Sequence, residues 1–489
     1  MPSSQHFEIP IGQHQLFLDD HGIARIENLH RTMHVPEKQG AVIQPEGLWE
    51  KTIQTRSVPS WDEQRQVFKL WLIPGMKPSE PGEEFHGRAY AESKDGIHWT
   101  KPVLRLREYG GSKENNLLGP AAPENALCDP DDPDIDRRFK GFMGDNRELI
   151  VSPDGIQWTK LDVPSIPSSD ESNLSYDRLT RTFIGTFKVC GESGRSHTIR
   201  TSKDFGTWVD TGFTFSADEL DQRLGRENIE RCYSDPKRCH PVFNIPDDYN
   251  VDVYNLAVFR YENYYIGMPS MFHRTANVSR DWPGFDEMNL PDEIMKNVRL
   301  YGDWTGFHHV QLMCSRDLVN WTRLGERKPF IDLSPDESVT TYDTQVIMPP
   351  SDVIINGDEL RLYYTGIRSY AYVTSFNQDA TGAVCLATLR RDGFISLDVK
   401  DQPGMLHSKP FVMPGTKLYV NLNSPGGSLE IRVQDTAGNI LAVSKTLGGD
   451  LIAEEVCWKQ GDIANLVGKT IMLQFILTSG SFYSYWIDN

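Results

Sequence analysis

Short runs that alternate apolar and polar residues cover most of this chain, broken by small polar turns. A period of two is the mark of half-buried β-strands. One turn recurs in five copies. Ser93-Lys94-Asp95-Gly96-Ile97-His98-Trp99 returns as Ser152-Pro153-Asp154-Gly155-Ile156-Gln157-Trp158, as Ser202-Lys203-Asp204-Phe205-Gly206-Thr207-Trp208 and as Ser315-Arg316-Asp317-Leu318-Val319-Asn320-Trp321; a worn copy is Leu389-Arg390-Arg391-Asp392-Gly393-Phe394-Ile395. Asp-Gly is a strong hairpin signal, and the Trp or aliphatic residue after it anchors the outgoing strand. An alternating strand precedes each turn, at 88–91, 147–151, 197–200, 309–313 and 383–387. An aromatic-rich strand precedes that one, at 68–72, 139–143, 183–187, 264–268 and 360–364, with a further short strand upstream. Repeated antiparallel meanders predict an all-β fold with a five-bladed β-propeller over residues 1–400. The longest interval between turns holds a polar insertion at 218–250, expected to form loops on one face of the propeller.

After Asp392 the copies stop, and Gln402-Pro403-Gly404 reads as a linker. Alternating runs at 417–422, 428–433, 440–443, 451–456 and 471–477, separated by Pro425-Gly426-Gly427, Thr436-Ala437-Gly438-Asn439 and Gly448-Gly449-Asp450, predict a small β-sandwich over 404–489. Its expected role is to cover a flank of the propeller, with carbohydrate binding as the alternative.

The net charge of −18 argues against nucleic acid and anionic membranes as partners. No basic and apolar leader opens the chain and no run is long enough to span a bilayer, which gives a cytoplasmic expectation. Seven scattered cysteines sit mostly inside strand patterns and act as small core residues. Cys232, Cys239 and His240 lack a fourth ligand for zinc. No metal or cofactor is expected.

Propeller chemistry collects where the innermost strands converge at the channel mouth. Those strands open at or near an acid: Glu50, Glu124, Asp170-Glu171, Asp252 and Asp343. Equivalent blades would make them a ring of carboxylates whose pKa values separate. Such separation suits glycoside cleavage, in which one carboxyl is the acid and another the nucleophile or base. Trp49, Arg56, Arg88, Asn173, Tyr254, His308 and Tyr342, with Glu124, supply stacking faces and hydroxyl partners for a sugar.

The opening Leu16-Phe17-Leu18-Asp19-Asp20, the segment from Tyr90 to Trp99, Tyr109-Gly110-Gly111-Ser112-Lys113-Glu114-Asn115-Asn116, and the runs Lys409-Pro410-Phe411 and Leu418-Tyr419-Val420-Asn421 carry a resemblance. The chain resembles the five-bladed propeller glycoside hydrolases that include the fructofuranosidase and arabinofuranosidase families, and more closely the group labelled glycosyl hydrolase family 32-like. It lacks the Asn-Asp-Pro-Asn and Arg-Asp-Pro signatures of true fructofuranosidases, so their catalytic assignments do not transfer. The resemblance implies a glycosidase or transglycosylase acting on a furanoside, such as a fructo-, arabino- or galactofuranoside. It points to Glu50 on the first blade, Asp170 or Glu171 on the third and Asp252 on the fourth as catalytic. Asp343 and Glu124 would orient substrate or tune a pKa. Asp19 and Asp20 are read either as a closure element of the last blade or as the first-blade acid. Two other functions stay open. One is a phosphate-dependent glycoside phosphorylase using Arg56, Arg88, Arg231 and His240; the other is a non-catalytic carbohydrate-binding propeller. The expected partners are a carbohydrate and further copies of the chain itself in a homo-oligomer.

Overall fold

The computed structural model describes residues 7–47, 49–76, 87–338, 340–375, 381–399 and 402–489. Five antiparallel sheets stand in a ring, each with its innermost strand on the channel. The innermost strands are Glu50–Gln54, Asn125–Cys128, Ser172–Asp177, Asn250–Tyr261 and Val346–Met348. A polar turn then leads to a second strand, a third and a short outer one, as the repeat predicts.

The repeated turn joins the third strand to the outer strand, and its chemistry explains its sequence. Asp154 Oδ1 accepts the amides of Ile156 and Gln157, both at 2.8 Å, while Ser152 Oγ accepts the Gly155 amide at 2.8 Å. Trp158 Nε1 folds back to donate to Gly155 O at 3.0 Å, which seats the indole between blades. Asp95, Asp204 and Asp317 build the same turn. Its fourth residue is left-handed, a conformation that glycine adopts freely: Gly96 and Gly155 have φ of 77° and 74°, and Phe205 and Leu318 take the same conformation at 64° and 65°.

The worn fifth copy departs from this pattern. Asp392 makes no such turn; it is fully buried and accepts from Tyr261 Oη at 2.6 Å and from Ser484 Oγ at 2.5 Å. The strand that follows, Ile395–Val399, leaves the propeller and joins the C-terminal sheet. An N-terminal strand, Glu37–Ile43, pairs with Gly382–Arg390 and supplies the missing outer strand of blade five. Ring closure therefore falls on Glu37–Ile43. Asp19 lies elsewhere, paired with Arg316 at 2.7 Å and with Tyr264 Oη at 2.9 Å, outside the channel.

The second body is a curled twelve-stranded sheet wrapped around Leu418, Val420, Ile431, Val433, Phe475 and Ile487. It draws Gln15–Leu16, Ile23–Glu27 and His30–Met33 from the N-terminal end of the chain. Pro425-Gly426-Gly427 does not end a strand here. One strand, Lys417–Gln434, runs through it with a register shift between Ser424 and Leu429. Glycines lack the Cβ that would resist such a bulge. Arg390 fastens this sheet to blade five through Asn421 Oδ1 at 2.7 Å and Leu451 O at 3.0 Å.

The polar insertion is not a plain loop. It holds a helix, Glu219–Ser234, opened by a capping box between Asp218 and Asp221. Gly225 lets that helix sit against Val251, since a Cβ there would lie 2.1 Å from the valine side chain. Among the described residues, no helix is long and apolar enough to cross a membrane.

Candidate active site

Where the inner strands begin, charged side chains of blades one to four meet. On the first blade the residue at the rim is Arg56. Gln54 lies opposite Ile73 and Thr55 Oγ1 donates to Trp71 O, so continuing the register sets the Arg56 backbone level with Asn125 and Asn173, and its longer side chain reaches the rim carboxylate of Glu171. Arg56 grips Glu171 with two nitrogens, Nη2 standing 2.6 Å from Oε1. Asn255 Nδ2 donates to the same carboxylate at 3.0 Å. Burial raises the Glu171 pKa, but the Arg56 guanidinium outweighs it and brings the carboxyl down to about 2. Asp170, next in the chain, behaves differently: its side chain is 55% exposed, and the buried Lys188 Nζ approaches its Oδ2 to 2.5 Å. Burial lowers the Lys188 pKa.

Blade four supplies Asp252, bound by Arg195 at 2.9 Å, and Tyr254, whose ring lies under Lys188 at 4.1 Å and Arg195 at 4.8 Å. Phe272, His308 and Tyr370 complete an aromatic box, with His308 4.5 Å from Tyr254 and 4.8 Å from both Phe272 and Tyr370. Burial holds the His308 imidazole well below its usual pKa, and its Nε2 finds no hydrogen-bond partner among the described residues. Tyr254 and Tyr370 are both pushed up by burial, so their hydroxyls keep their protons. On blade two, Glu124 is clasped by Arg88 and by Arg147 Nη1 at 2.9 Å.

A buried polar layer closes the channel beneath this rim. Asn173 joins Asn255 and the Leu256 carbonyl, and Ser351 Oγ donates to Asn173 Oδ1 at 2.7 Å. Asn125 reaches Ser172, and Ser57 Oγ accepts the Ala126 amide at 2.9 Å.

The structure thus gathers Asp170, Glu171, Asp252, Glu124, Arg56, Arg88, Tyr254 and His308 at one rim, with Asn173 in the layer below. It sets Glu50, Asp343, Trp49 and Tyr342 apart. Glu50 lies six residues before Arg56, with a fully buried side chain; its Oε2 accepts the Glu46 and Gly47 amides at 2.8 and 3.0 Å and meets Lys101 at 2.7 Å. Asp343 is buried against Lys38 at 2.6 Å and Tyr364 Oη at 2.8 Å. Trp49 packs on Tyr109, and Tyr342 reaches Gln44. Of the residues named for phosphate binding, His240 lines a small cavity of about 80 Å³ with Gln345 and Tyr370, and Arg231 bonds Asn228 on the inserted helix. Lys188, Arg195, Arg147, Phe272 and Tyr370 escaped the sequence reading. Lys188 and Arg195 flank the hairpin between the second and third strands of blade three, which ends at the same rim as the start of the inner strand.

No family model and no curated protein matches the chain. Among solved structures it is similar to a glycoside hydrolase, at 14% identity over 73% of this chain and 92% of the other, with a TM-score of 0.37. A Bombyx mori GH32 β-fructofuranosidase matches at 9% identity over 93% and 94%, with a TM-score of 0.39. A member of the GH130 family of mannoside phosphorylases and glycoside hydrolases matches at 12% over 73% and 94%, also at 0.39. Likenesses at this level bear no weight on activity.

Proposed function

We propose that the chain cleaves glycosidic bonds at this rim, with Asp170 as the carboxylate that meets the sugar. The observation that carries the reading is the exposure of Asp170 within a setting of buried, ion-paired carboxylates and aromatic faces. Such a setting suits a ring-shaped polyhydroxylated substrate, whose apolar face stacks on an aromatic ring and whose hydroxyls need both donors and acceptors. Asp170 serves as nucleophile or base. Glu171, kept ionised by Arg56, favours the positive charge that builds on the sugar in an oxocarbenium-like transition state. Tyr370 Oη accepts from Arg195 Nη1 at 3.4 Å and keeps its own proton to offer to a departing oxygen. The furanoside preference rests on the sequence resemblance alone.

A second reading, phosphorolysis, draws on the number of cations. Arg56, Arg88, Arg147, Lys188 and Arg195 converge on one rim, and guanidinium and ammonium groups bind phosphate well. Phosphate would then replace water as the group that accepts the glycosyl unit.

A panel of aryl furanosides and pyranosides, assayed with and without phosphate, tests both. Phosphate-independent release that Asp170→Asn lowers by about 100-fold or more supports hydrolysis at the rim. Release only with phosphate installs phosphorolysis. Sugar binding without turnover would leave a carbohydrate-binding propeller and overturn both readings.

A further inference from the structure

A large cavity lies at the opposite end of the channel from the carboxylate rim. It holds about 770 Å³, and all five blades contribute to it from the far ends of their inner strands or the turns just after them. The strand Ser172–Asp177 leads from the rim into the cavity, whose lining on this strand begins at Leu174, and the buried layer of Asn173 and Ser351 separates the two.

Apolar side chains, Phe68, Leu127, Leu174 and Val353 among them, share its walls with polar and charged ones, and Trp61, 36% exposed, also lines it. Such a volume and lining are typical of small-molecule sites. The acids that face it differ in their partners. Asp177 accepts from Tyr265 Oη at 3.0 Å and lies 3.9 Å from Arg260, and Glu262 accepts the His14 amide at 3.1 Å. Asp352 accepts only the neighbouring Val353 amide, at 2.7 Å, and forms no ion pair among the described residues. Of the two arginines lining the cavity, Arg260 is spent on the Glu262 carbonyl, Asp177 and the Tyr265 ring, while Arg178 is exposed and forms no ion pair with Asp352.

We propose that this cavity is a second ligand site, for a small organic cation with an apolar body, such as an arylalkylamine, whose ammonium pairs with Asp352 while its hydrocarbon part fills the apolar walls. Arg178 acts on this acid only from a distance, without an ion pair among the described residues, so burial outweighs it and pushes the Asp352 carboxyl up to about 7. A ligand ammonium supplies that charge, and the Trp61 face attracts the same cation. The site is independent of the carbohydrate reading, because the polar layer lies between them.

Calorimetric titration of the full chain with 2-phenylethylamine, 2-phenylethanol and 3-phenylpropionate tests this without any variant. The amine should bind at least 10-fold more tightly than either isostere. Asp352→Asn should remove that preference and leave the alcohol's affinity unchanged, and Leu174→Trp, which fills the cavity, should weaken all binding. Equal affinity for amine and alcohol, tighter binding of the carboxylate through Arg178, or no binding of the amine at millimolar concentration would each overturn the proposal.

Discussion

Replacing Glu171 by Gln keeps the shape of the rim and removes one charge. Arg56 and Glu171 are both buried, their side chains 7% and 9% exposed. Breaking such a pair from one side strands the other charge and costs about 3–5 kcal/mol. The charge balance around Glu171 gives a similar figure: lowering the carboxyl from an ordinary 4.5 to about 2 corresponds to about 3 kcal/mol of charge-dependent stability. Because the folded value lies below the unfolded one, that stability is complete above the unfolded pKa and is lost as pH falls toward 2. A chain of 489 residues unfolds with an entropy of about 1 kcal/mol per degree near its midpoint. The variant should therefore melt about 3–5 °C below the parent at pH 7 in scanning calorimetry. The gap should narrow from pH 5 to pH 3, because the unfolded parent takes up a proton on this carboxyl while the folded one stays ionised. A gap under 1 °C at pH 7, or one that stays constant across this range, would show that the pair does not hold the rim as described.

Four further outcomes follow from the same geometry. Asp154→Ala leaves two turn amides without their acceptor and should cost about 1–3 kcal/mol in chemical denaturation. Gly40 has φ of 82° in the closing strand with open space around its missing Cβ, so Gly40→Val should cost about 1–3 kcal/mol through backbone strain alone. Lys188→Met should lower kcat of any glycoside turnover by more than it changes KM, since the ammonium sets the charge beside Asp170 rather than the sugar's fit. Asp352 has its folded pKa raised, so the folded state is penalised as pH climbs from its unfolded value through 7. Asp352→Asn should accordingly melt above the parent at pH 8 and level with it below pH 4.

Local chemistry made the blades readable. The turn at Asp95, Asp154, Asp204 and Asp317 satisfies its own amides within a few residues, so these four copies mark the ends of third strands, and the Trp that closes each marks the outer one. The same logic misplaced Glu50. Blade one has extra pairing between Glu50–Gln54 and the end of its second strand, and counting back from the aromatic strand runs past Arg56 into this extension. In the fifth copy, Asp392 kept its letter but is fully buried and bonded to Ser484 of the C-terminal sheet. Pro425-Gly426-Gly427 reads as a turn but is a bulge, because neighbouring strands continue to pair on both sides of it.

By itself, the amino-acid sequence determined the all-β class, the five blades, the turn that ends each third strand, and the acids at the starts of the inner strands, because period and turn chemistry act over a few residues. Only the tertiary structure decided which strand closes the ring, which acids share a rim, and which cation each acid holds. Those outcomes depend on contacts between residues far apart in the chain. Glu171 meets Arg56 across 115 positions, and the Thr55 amide meets Thr365 across 310. No local pattern encodes such pairings, because they arise only when the ring shuts.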